Sequence, residues 1–201
     1  MKNLIYFFSI TCLLGTFNLI EAQATQSYLE RSPVYDYAEL NLNNTDTIPD
    51  YDFKLNKLKI TGTIYENDGQ TPAKDVILFI EQPNENGDFD LRKENEKRYV
   101  NHRGWVKTNA DGQYTFYTFV PGNDRRYNQL QQIFPVIKDS AQQEYALETF
   151  LFEEDPLLSR ACRKRINKKG DPSRILKPKK EDGLLVAKRD IILSSVSIQS
   201  R

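Results

Sequence analysis

Histidine and cysteine are scarce in this chain of 201 residues, which contains the single histidine His102 and the two cysteines Cys12 and Cys162. A Ser-His-Asp or Cys-His catalytic arrangement would have to use His102, and no G-x-S-x-G turn is present to carry a nucleophilic serine. Cys12 falls in an apolar leader, which leaves Cys162 without a cysteine partner in the mature chain, and we interpret it as an incidental thiol. We therefore expect a hydrophobic core, rather than disulfides, to stabilise the protein.

A net charge is also lacking, because 28 Lys and Arg residues balance 28 Asp and Glu residues. This balance gives no reason to expect nucleic acid or an anionic membrane as a partner. The sequence has no glycine-rich loop for phosphate and no repeat of fixed period, which excludes phosphate-cradling loops and repeat architectures. Its length favours one domain with a core of its own.

The first 24 residues have the pattern of a signal peptide. Lys2 is followed by an apolar run over residues 4–20, and Ala22-Gln23-Ala24 offers small residues for cleavage. The run is short for a membrane span and polar residues interrupt it, so an uncleaved anchor is disfavoured. A lipid anchor on Cys12 is disfavoured too, because no usual lipobox precedes it. We expect residues 1–24 to be removed and the protein to be exported to the periplasm, the cell envelope or the medium, with no membrane span left.

The remaining chain divides into an arm and a domain. Residues 25–54 are polar, contain several tyrosines and have no sustained periodicity, which indicates an extended arm or linker that lies over the domain. Residues 58–64 alternate as in a half-buried strand, and the apolar run 76–80 suits a strand buried on both faces. Further strands are predicted at 113–120, 132–138, 144–152 and 184–194. Short strands separated by turns predict an all-β sandwich over residues 55–198.

Residues 160–180 form a basic stretch that also contains Gly170, Pro172 and Pro178. Glycine and proline break helices, and no aromatic residues interleave with the charges to stack on bases, so a solvated loop is favoured. The alternative is that this basic loop docks an anionic partner, such as a protein of the cell envelope.

Several segments of the predicted domain carry short motifs. They are the strand and turn of residues 60–73, EQPNENGDF at 81–89, RGWVKTNADGQY at 103–114 with PG at 121–122, FLFEEDP at 150–156, and DG at 182–183 leading to DIIL at 190–193. In order and spacing these segments resemble the intradiol ring-cleavage dioxygenases, which cleave catechol or protocatechuate, and above all the secreted members from Bacteroidetes-type bacteria. The resemblance covers roughly residues 57–194 and implies the β-sandwich fold of that family.

The resemblance also implies where an iron site would lie. In the family two tyrosines and two histidines hold ferric iron, because this hard ion favours anionic oxygen and neutral imidazoles fix the geometry. The tyrosine positions fall on Phe89 and Asp124, and the histidine positions fall on Gln132 and Phe134. Gln129 stands where the family has an arginine that stabilises charge on the attacked ring. The resemblance therefore implies a degenerate site without catalytic residues or iron.

Other residues offer little to rebuild such a site. Asp124 can bind metal, Tyr127 could take the place of the second tyrosine, and His102 is the remaining imidazole. One histidine and one carboxylate fall short of a preorganised four-ligand shell, so we interpret His102 as a surface residue at a strand start and Tyr127 as a loop aromatic. Together with Trp105, these two residues are candidates to line a pocket at the former site.

The sequence thus predicts an exported, catalytically inactive relative of the family, without a cofactor, whose former iron site is an apolar pocket or a filled core. Phe89 and Phe134 would suit packing or a small aromatic ligand. One alternative is an active aromatic ring-cleaving dioxygenase with an unusual iron shell. Another is a structural or adhesive cell-surface module. We expect the purified protein to be colourless and free of metal.

Overall fold

The computed structural model describes residues 28–37, 41–141 and 143–193. The predicted signal peptide at residues 1–24 lies outside the described residues, as do residues 194–198 at the end of the predicted domain. Within the described ranges, no helix is both long enough and apolar enough to cross a membrane.

Short strands make up much of the described chain, and turns and loops separate them. The strands are β1 (Thr45–Thr47), β2 (Lys57–Tyr65), β3 (Ile77–Glu81), β4 (Leu91–Glu94), β5 (Lys97–Val100), β6 (Arg103–Lys107), β7 (Gln113–Phe119), β8 (Gln132–Lys138), β9 (Glu144–Ala146), β10 (Phe150–Phe152), β11 (Ile175–Leu176), β12 (Lys179–Glu181), β13 (Leu184–Lys188) and β14 (Ile191–Ile192). An α-helix spans Arg160–Lys169, and 3-10 helices span Pro33–Tyr35, Tyr51–Phe53 and Pro172–Arg174.

Two sheets pack face to face. The first has the strand order β1, β7, β2, β13, β12, and β14 also pairs with β2. The second has the order β11, β10, β8, β3, β6, and β9 also pairs with β8, while β4 and β5 form a separate hairpin. Side chains from both sheets build the main core, and among the largest fully buried ones are Leu58, Leu78, Tyr114, Phe116, Phe119 and Phe150. The all-β sandwich predicted from the sequence is confirmed.

Strand β2 has the predicted alternation, because successive side chains of a strand point to opposite faces. Leu58, Ile60 and Ile64 are fully buried, whereas Lys59, Thr61 and Thr63 are half-buried. Gly62 lies on the same buried face, where a Cβ atom would come within 1.9 Å of the carbonyl oxygen of Arg189. Glycine is therefore required at the point where the parallel pairing of β2 passes from β13 to β14.

Strand β3 is buried on both faces, as its continuous apolar run predicts. Leu78 and Ile80 face the main core between the sheets. Ile77 and Phe79 face the opposite side, where they pack with Trp105 of β6. The outer face of the second sheet is therefore apolar and needs a cover of its own.

The N-terminal arm supplies part of that cover. Val34 is fully buried against Phe79 and Trp105, and the Trp105 indole N–H donates a hydrogen bond of 3.1 Å to the Pro33 carbonyl. Lys138 of β8 donates a hydrogen bond of 2.8 Å to the Tyr37 hydroxyl. Farther along the arm, β1 pairs in parallel with β7 of the first sheet. The segment 25–54 therefore contributes a strand and two 3-10 helices to the domain.

The basic stretch 160–180 is not a solvated loop, and this prediction is wrong. Residues Arg160–Lys169, called the basic helix below, are helical. The Ser159 hydroxyl accepts a hydrogen bond from the backbone N–H of Cys162 and caps the first turn, while Gly170 ends the helix and does not interrupt it. Ile166 anchors the helix in a small apolar cluster that includes Leu151 and Leu158. The idea that this region docks an anionic envelope protein stays a prediction.

Two of the longer predicted strands are each divided in two. The prediction for 144–152 becomes β9 and β10, and the prediction for 184–194 becomes β13 and β14. In the second case Arg189 and Asp190 interrupt the strand, and the Asp190 carboxylate accepts a hydrogen bond of 2.9 Å from the backbone N–H of Thr63. Between β13 and β14, the Asp190 side chain thus supplies to β2 the hydrogen bond that a backbone carbonyl would otherwise accept.

Candidate functional site

Phe89 and Phe134 are in contact. Their ring centroids are 5.7 Å apart and the ring planes are tilted by 50°. Phe134 lies on the outer face of β8, since Ile133 and Pro135 on either side of it are buried toward the core, and Phe89 lies in the loop between β3 and β4. Such a tilted pair contributes about 0.5–1.5 kcal/mol beyond the burial of its area. Two ring positions that are distant in sequence therefore form one apolar contact.

Gln132 shares the outer face of β8 with Phe134, because the two residues are separated by one position in a strand. It is half-buried, and its backbone lies opposite Leu151 of β10. Strand β3 places Glu81 beside Phe134 in the sheet, and β6 places Arg103 beside Glu81. In the sheet, Phe134 thus has the charged neighbour Glu81, whereas Gln132 has the apolar neighbour Leu151.

Asp124 and Gln129 close a short loop after β7. Each backbone N–H donates a hydrogen bond of 2.9 Å to the backbone carbonyl of the other residue. The Gln129 side-chain amide donates a hydrogen bond of 3.1 Å to the carbonyl of Gly87. This contact ties the loop of residues 124–129 to the loop that carries Phe89.

The Asp124 carboxylate is engaged by Arg126. One carboxylate oxygen accepts hydrogen bonds from the backbone N–H and Nε of Arg126 at 2.8 and 3.1 Å, and the other accepts from Nη2 at 2.8 Å. These contacts hold the pKa of Asp124 below its ordinary value. Asp124 is buried and Arg126 is exposed, so the guanidinium covers the carboxylate from the solvent side.

Two glycines allow the loops around these residues to approach each other. Gly87 has a φ of +90°, and a Cβ there would lie 2.8 Å from the backbone of Asn123. A Cβ at Gly122 would lie 2.3 Å from the carbonyl oxygen of Glu85. Both positions belong to the sequence motifs quoted above, so the motifs mark a close backbone contact as well as a strand end.

Trp105 and Tyr127 lie in different surroundings. Trp105 is buried beneath residues 33–37, and its ring packs on Phe79 at 5.2 Å. Tyr127 is 78% exposed, with the guanidinium of Arg126 at 5.6 Å from its ring. The structure therefore matches the interpretation of Tyr127 as a loop aromatic, whereas Trp105 serves the packing between the arm and the second sheet.

His102 is buried, and its interpretation as a surface residue is wrong. Only 3% of the side chain is exposed, and the ring meets Phe119 edge-on at 5.0 Å between centroids. Nε2 lies 3.5 Å from a carboxylate oxygen of Asp50, which comes from the arm. Burial and the nearby charge of Lys54 hold the pKa of His102 below its ordinary value, while Asp50 and Asp90 act in the opposite direction. The sequence carries no signal for this burial, since the covering residues are distant along the chain.

No protein-family model matches the chain. No curated protein matches it in sequence.

Solved structures do match it in fold. The dioxygenase domain of a dioxygenase carbohydrate-binding protein fusion from Streptomyces sp. SirexAA-E superposes with a TM-score of 0.57 and 18% identity over 76% of this chain and 87% of that one. An intradiol ring-cleavage dioxygenase from Tetranychus urticae gives 0.54 and 16% over 80% and 88%. Hydroxyquinol 1,2-dioxygenase from Pseudomonas putida DLL-E4 gives 0.55 and 15% over 75% of this chain and 60% of that one. The chain therefore has the β-sandwich fold of the intradiol ring-cleavage dioxygenases.

Proposed function

We propose that this protein is an exported, intradiol-dioxygenase-like protein that does not cleave aromatic rings, and that an apolar contact takes the place of the iron. The observation that carries the proposal is the contact of Phe89 with Phe134, at 5.7 Å between ring centroids. By the sequence resemblance these residues stand at one tyrosine and one histidine position of the family. A benzyl side chain has no donor atom for a metal at either place.

Ferric iron does not fit the remaining two positions either. The Asp124 carboxylate is already bound by Arg126 through both oxygens, and a cation added there would meet the guanidinium charge. Gln132 offers a neutral amide in place of an imidazole, and an amide oxygen is a weaker ligand for iron. The residues at the four aligned positions thus supply no set of anionic oxygens and imidazoles that would hold ferric iron.

The alternative, an unusual iron shell that uses Tyr127 and His102, has little support from the positions of these two residues. Tyr127 is largely exposed, so it would have to leave solvent to reach a metal beside Phe134. His102 is packed on Phe119 and faces Asp50 of the arm. The candidate ligands of an unusual iron site are therefore held in other environments.

The two phenylalanines favour a filled site over an open pocket. An aromatic ligand stacked between them would need about 7 Å between the flanking rings, which is twice the usual carbon contact distance. The observed centroid distance is 5.7 Å, and the rings are tilted with respect to each other. A small aromatic molecule would therefore have to separate the rings before it could bind.

The test is to express the full chain with iron available and to measure its iron content, its visible absorption and its turnover of catechol and protocatechuate. We expect a colourless protein without stoichiometric iron and without ring cleavage. An iron content near one per chain, or measurable oxygen-dependent ring cleavage, would overturn the proposal. Denatured protein is the control for adventitious iron.

A further inference from the structure

A separate group of side chains lies near the N-terminal edge of the β4–β5 hairpin. Asp50, Asp90 and His102 place potential ligand atoms within 4.8 Å of one another. Asp50 precedes the 3-10 helix Tyr51–Phe53, Asp90 precedes β4, and His102 precedes β6. None of these three residues stands at an aligned iron-ligand position, so the group is independent of the proposed function.

His102 is the residue that points to a ligand. Buried polar atoms in proteins nearly always have a hydrogen-bond partner. Neither ring nitrogen of His102 has one, although the side chain is only 3% exposed. The ring nevertheless directs Nε2 toward Asp50 Oδ2 at 3.5 Å.

This separation suits two ligands of one ion better than a hydrogen bond. Direct N–H···O bonds cluster at about 2.9–3.0 Å. In a tetrahedral zinc site with bonds of about 2.0–2.1 Å, neighbouring ligand atoms lie about 3.3 Å apart. The distance of 3.5 Å between His102 Nε2 and Asp50 Oδ2 is close to that edge.

The surroundings also resemble the supporting partners of a metal site. Asn101 donates a hydrogen bond of 3.0 Å to Oδ2 of Asp50. Arg92 donates one of 3.0 Å to Oδ2 of Asp90 and engages that oxygen alone, whereas Arg126 engages both oxygens of Asp124. Such contacts orient carboxylates for a metal. Burial favours the neutral form of His102, which is the form that binds metal.

We propose that Asp50, Asp90 and His102 bind one zinc ion, with water as the fourth ligand. An imidazole together with carboxylates favours zinc over magnesium or calcium, which prefer oxygen ligands alone. The ion ties the chain before β2 to the hairpin that follows the Phe89 loop, and it therefore stabilises the contact between these two segments. This assignment departs from the metal-free protein that the sequence predicts, and zinc leaves the protein colourless.

The test is a zinc titration of the chelator-treated full chain by calorimetry, together with the visible spectrum of the cobalt-substituted protein. We expect one zinc per chain, a tetrahedral cobalt spectrum and a higher melting temperature with zinc. Asp50→Asn, Asp90→Asn and His102→Gln should each weaken zinc binding by about tenfold or more. The matched control is Asp111→Asn, in the exposed turn before β7, which should leave the affinity unchanged.

Asp50→Asn keeps the test decisive even if His102→Gln does not fold. Asp50 is exposed and has a left-handed φ of 65°, which asparagine adopts readily. Equal zinc affinity in this variant and the parent would overturn the proposal. Failure of the parent to bind zinc more tightly than the variants would overturn it as well.

Discussion

Lys97 and Asp36 form a buried ion pair between the hairpin and the N-terminal arm. Nζ of Lys97 lies 2.8 Å from Oδ2 of Asp36, and the two side chains are 8% and 9% exposed. The same ammonium group donates a hydrogen bond of 2.7 Å to the carbonyl of Arg31. These two contacts bind strand β5 to the N-terminal arm, which covers the outer face of the second sheet.

Removal of the carboxylate should destabilise the protein. Asp36→Asn leaves the buried ammonium of Lys97 without a counter-charge, and breaking a buried pair in this way typically costs about 3–5 kcal/mol in unfolding free energy. Urea denaturation measures the loss. Glu96→Gln is the control, because its pair with Lys93 is exposed and should contribute less than about 1 kcal/mol. Equal losses in the two variants would show that the buried Lys97–Asp36 pair contributes no more to the unfolding free energy than the exposed Lys93–Glu96 pair does.

Restoring the family's ligands should create an iron site. The quadruple variant is Phe89→Tyr, Asp124→Tyr, Gln132→His and Phe134→His. We expect it to bind ferric iron at least weakly and to gain visible absorption from tyrosinate bound to iron, because the backbone then presents four suitable donors. Catechol turnover is not expected, since Gln129 lacks the charge of an arginine.

The double variant with only the two tyrosine substitutions is the matched control for this experiment, and it should bind less iron than the quadruple variant. Iron content by elemental analysis decides the outcome. If the folded quadruple variant takes up no more iron than the parent, residues 124–134 do not occupy the ligand positions that the resemblance assigns.

Stability should fall as the pH drops below about 6.5. His102 has a folded-state pKa below its ordinary value of 6.5, so the unfolded chain binds more protons in this range than the native protein does. The loss begins near the unfolded pKa and levels off below the lowered folded pKa. Burial and Lys54 cause the shift, and Asp50 and Asp90 reduce it.

Urea denaturation in the presence of a chelator, between about pH 7.5 and 5.5, measures this dependence. A folded His102→Gln variant should lose most of the slope in that range. A parent protein whose stability rises toward pH 5.5 would contradict the assigned direction of the pKa shift.

The exported protein should lack its first residues. Signal peptidase reads a charged start, an apolar run and small residues before the cleavage site, all of which occur in residues 1–24. Intact-mass measurement on protein from the envelope or medium of the native host checks this. A mass that includes Met1, or a lipid attached to Cys12, would contradict the prediction.

Periodicity made the central strands predictable. Strand β2 alternates strictly, and β3 is apolar at every buried position, because one faces a single core and the other separates two apolar layers. Strand β8 was predicted with its observed bounds of Gln132–Lys138. In these elements the local pattern and the tertiary burial agree.

The β4–β5 hairpin and the basic helix could not be predicted in the same way. Residues 91–100 are so rich in charge that no apolar alternation marks the strands, and their turn depends on positive φ angles at Asn95 and Glu96. The basic helix depends on its caps and on the buried Ile166, which are weak local signals against Gly170 and Pro172. In both cases tertiary contacts and turn geometry decided the structure.

In the candidate site, too, some contacts could be predicted from the sequence and others could not. The resemblance assigned Phe89 and Phe134 to one site, and their rings are in contact, while their role stays a prediction. The approach of Asp50 and Asp90 to His102 joins residues far apart in sequence, and no motif links them. The contact of Arg126 with the Asp124 carboxylate could be predicted from the sequence, because the two residues are only two positions apart.

The cover of the second sheet has a spectroscopic consequence. Trp105 is the single tryptophan of the chain, and its indole N–H is bonded to Pro33 of the arm. Water that reached the indole after the arm detached would shift the emission of the whole protein to the red. Intrinsic fluorescence therefore reports whether residues 33–37 cover Trp105. A chain that begins at residue 41 should already show the emission of a solvated indole, while β1 stays paired with β7 and the two sheets remain packed.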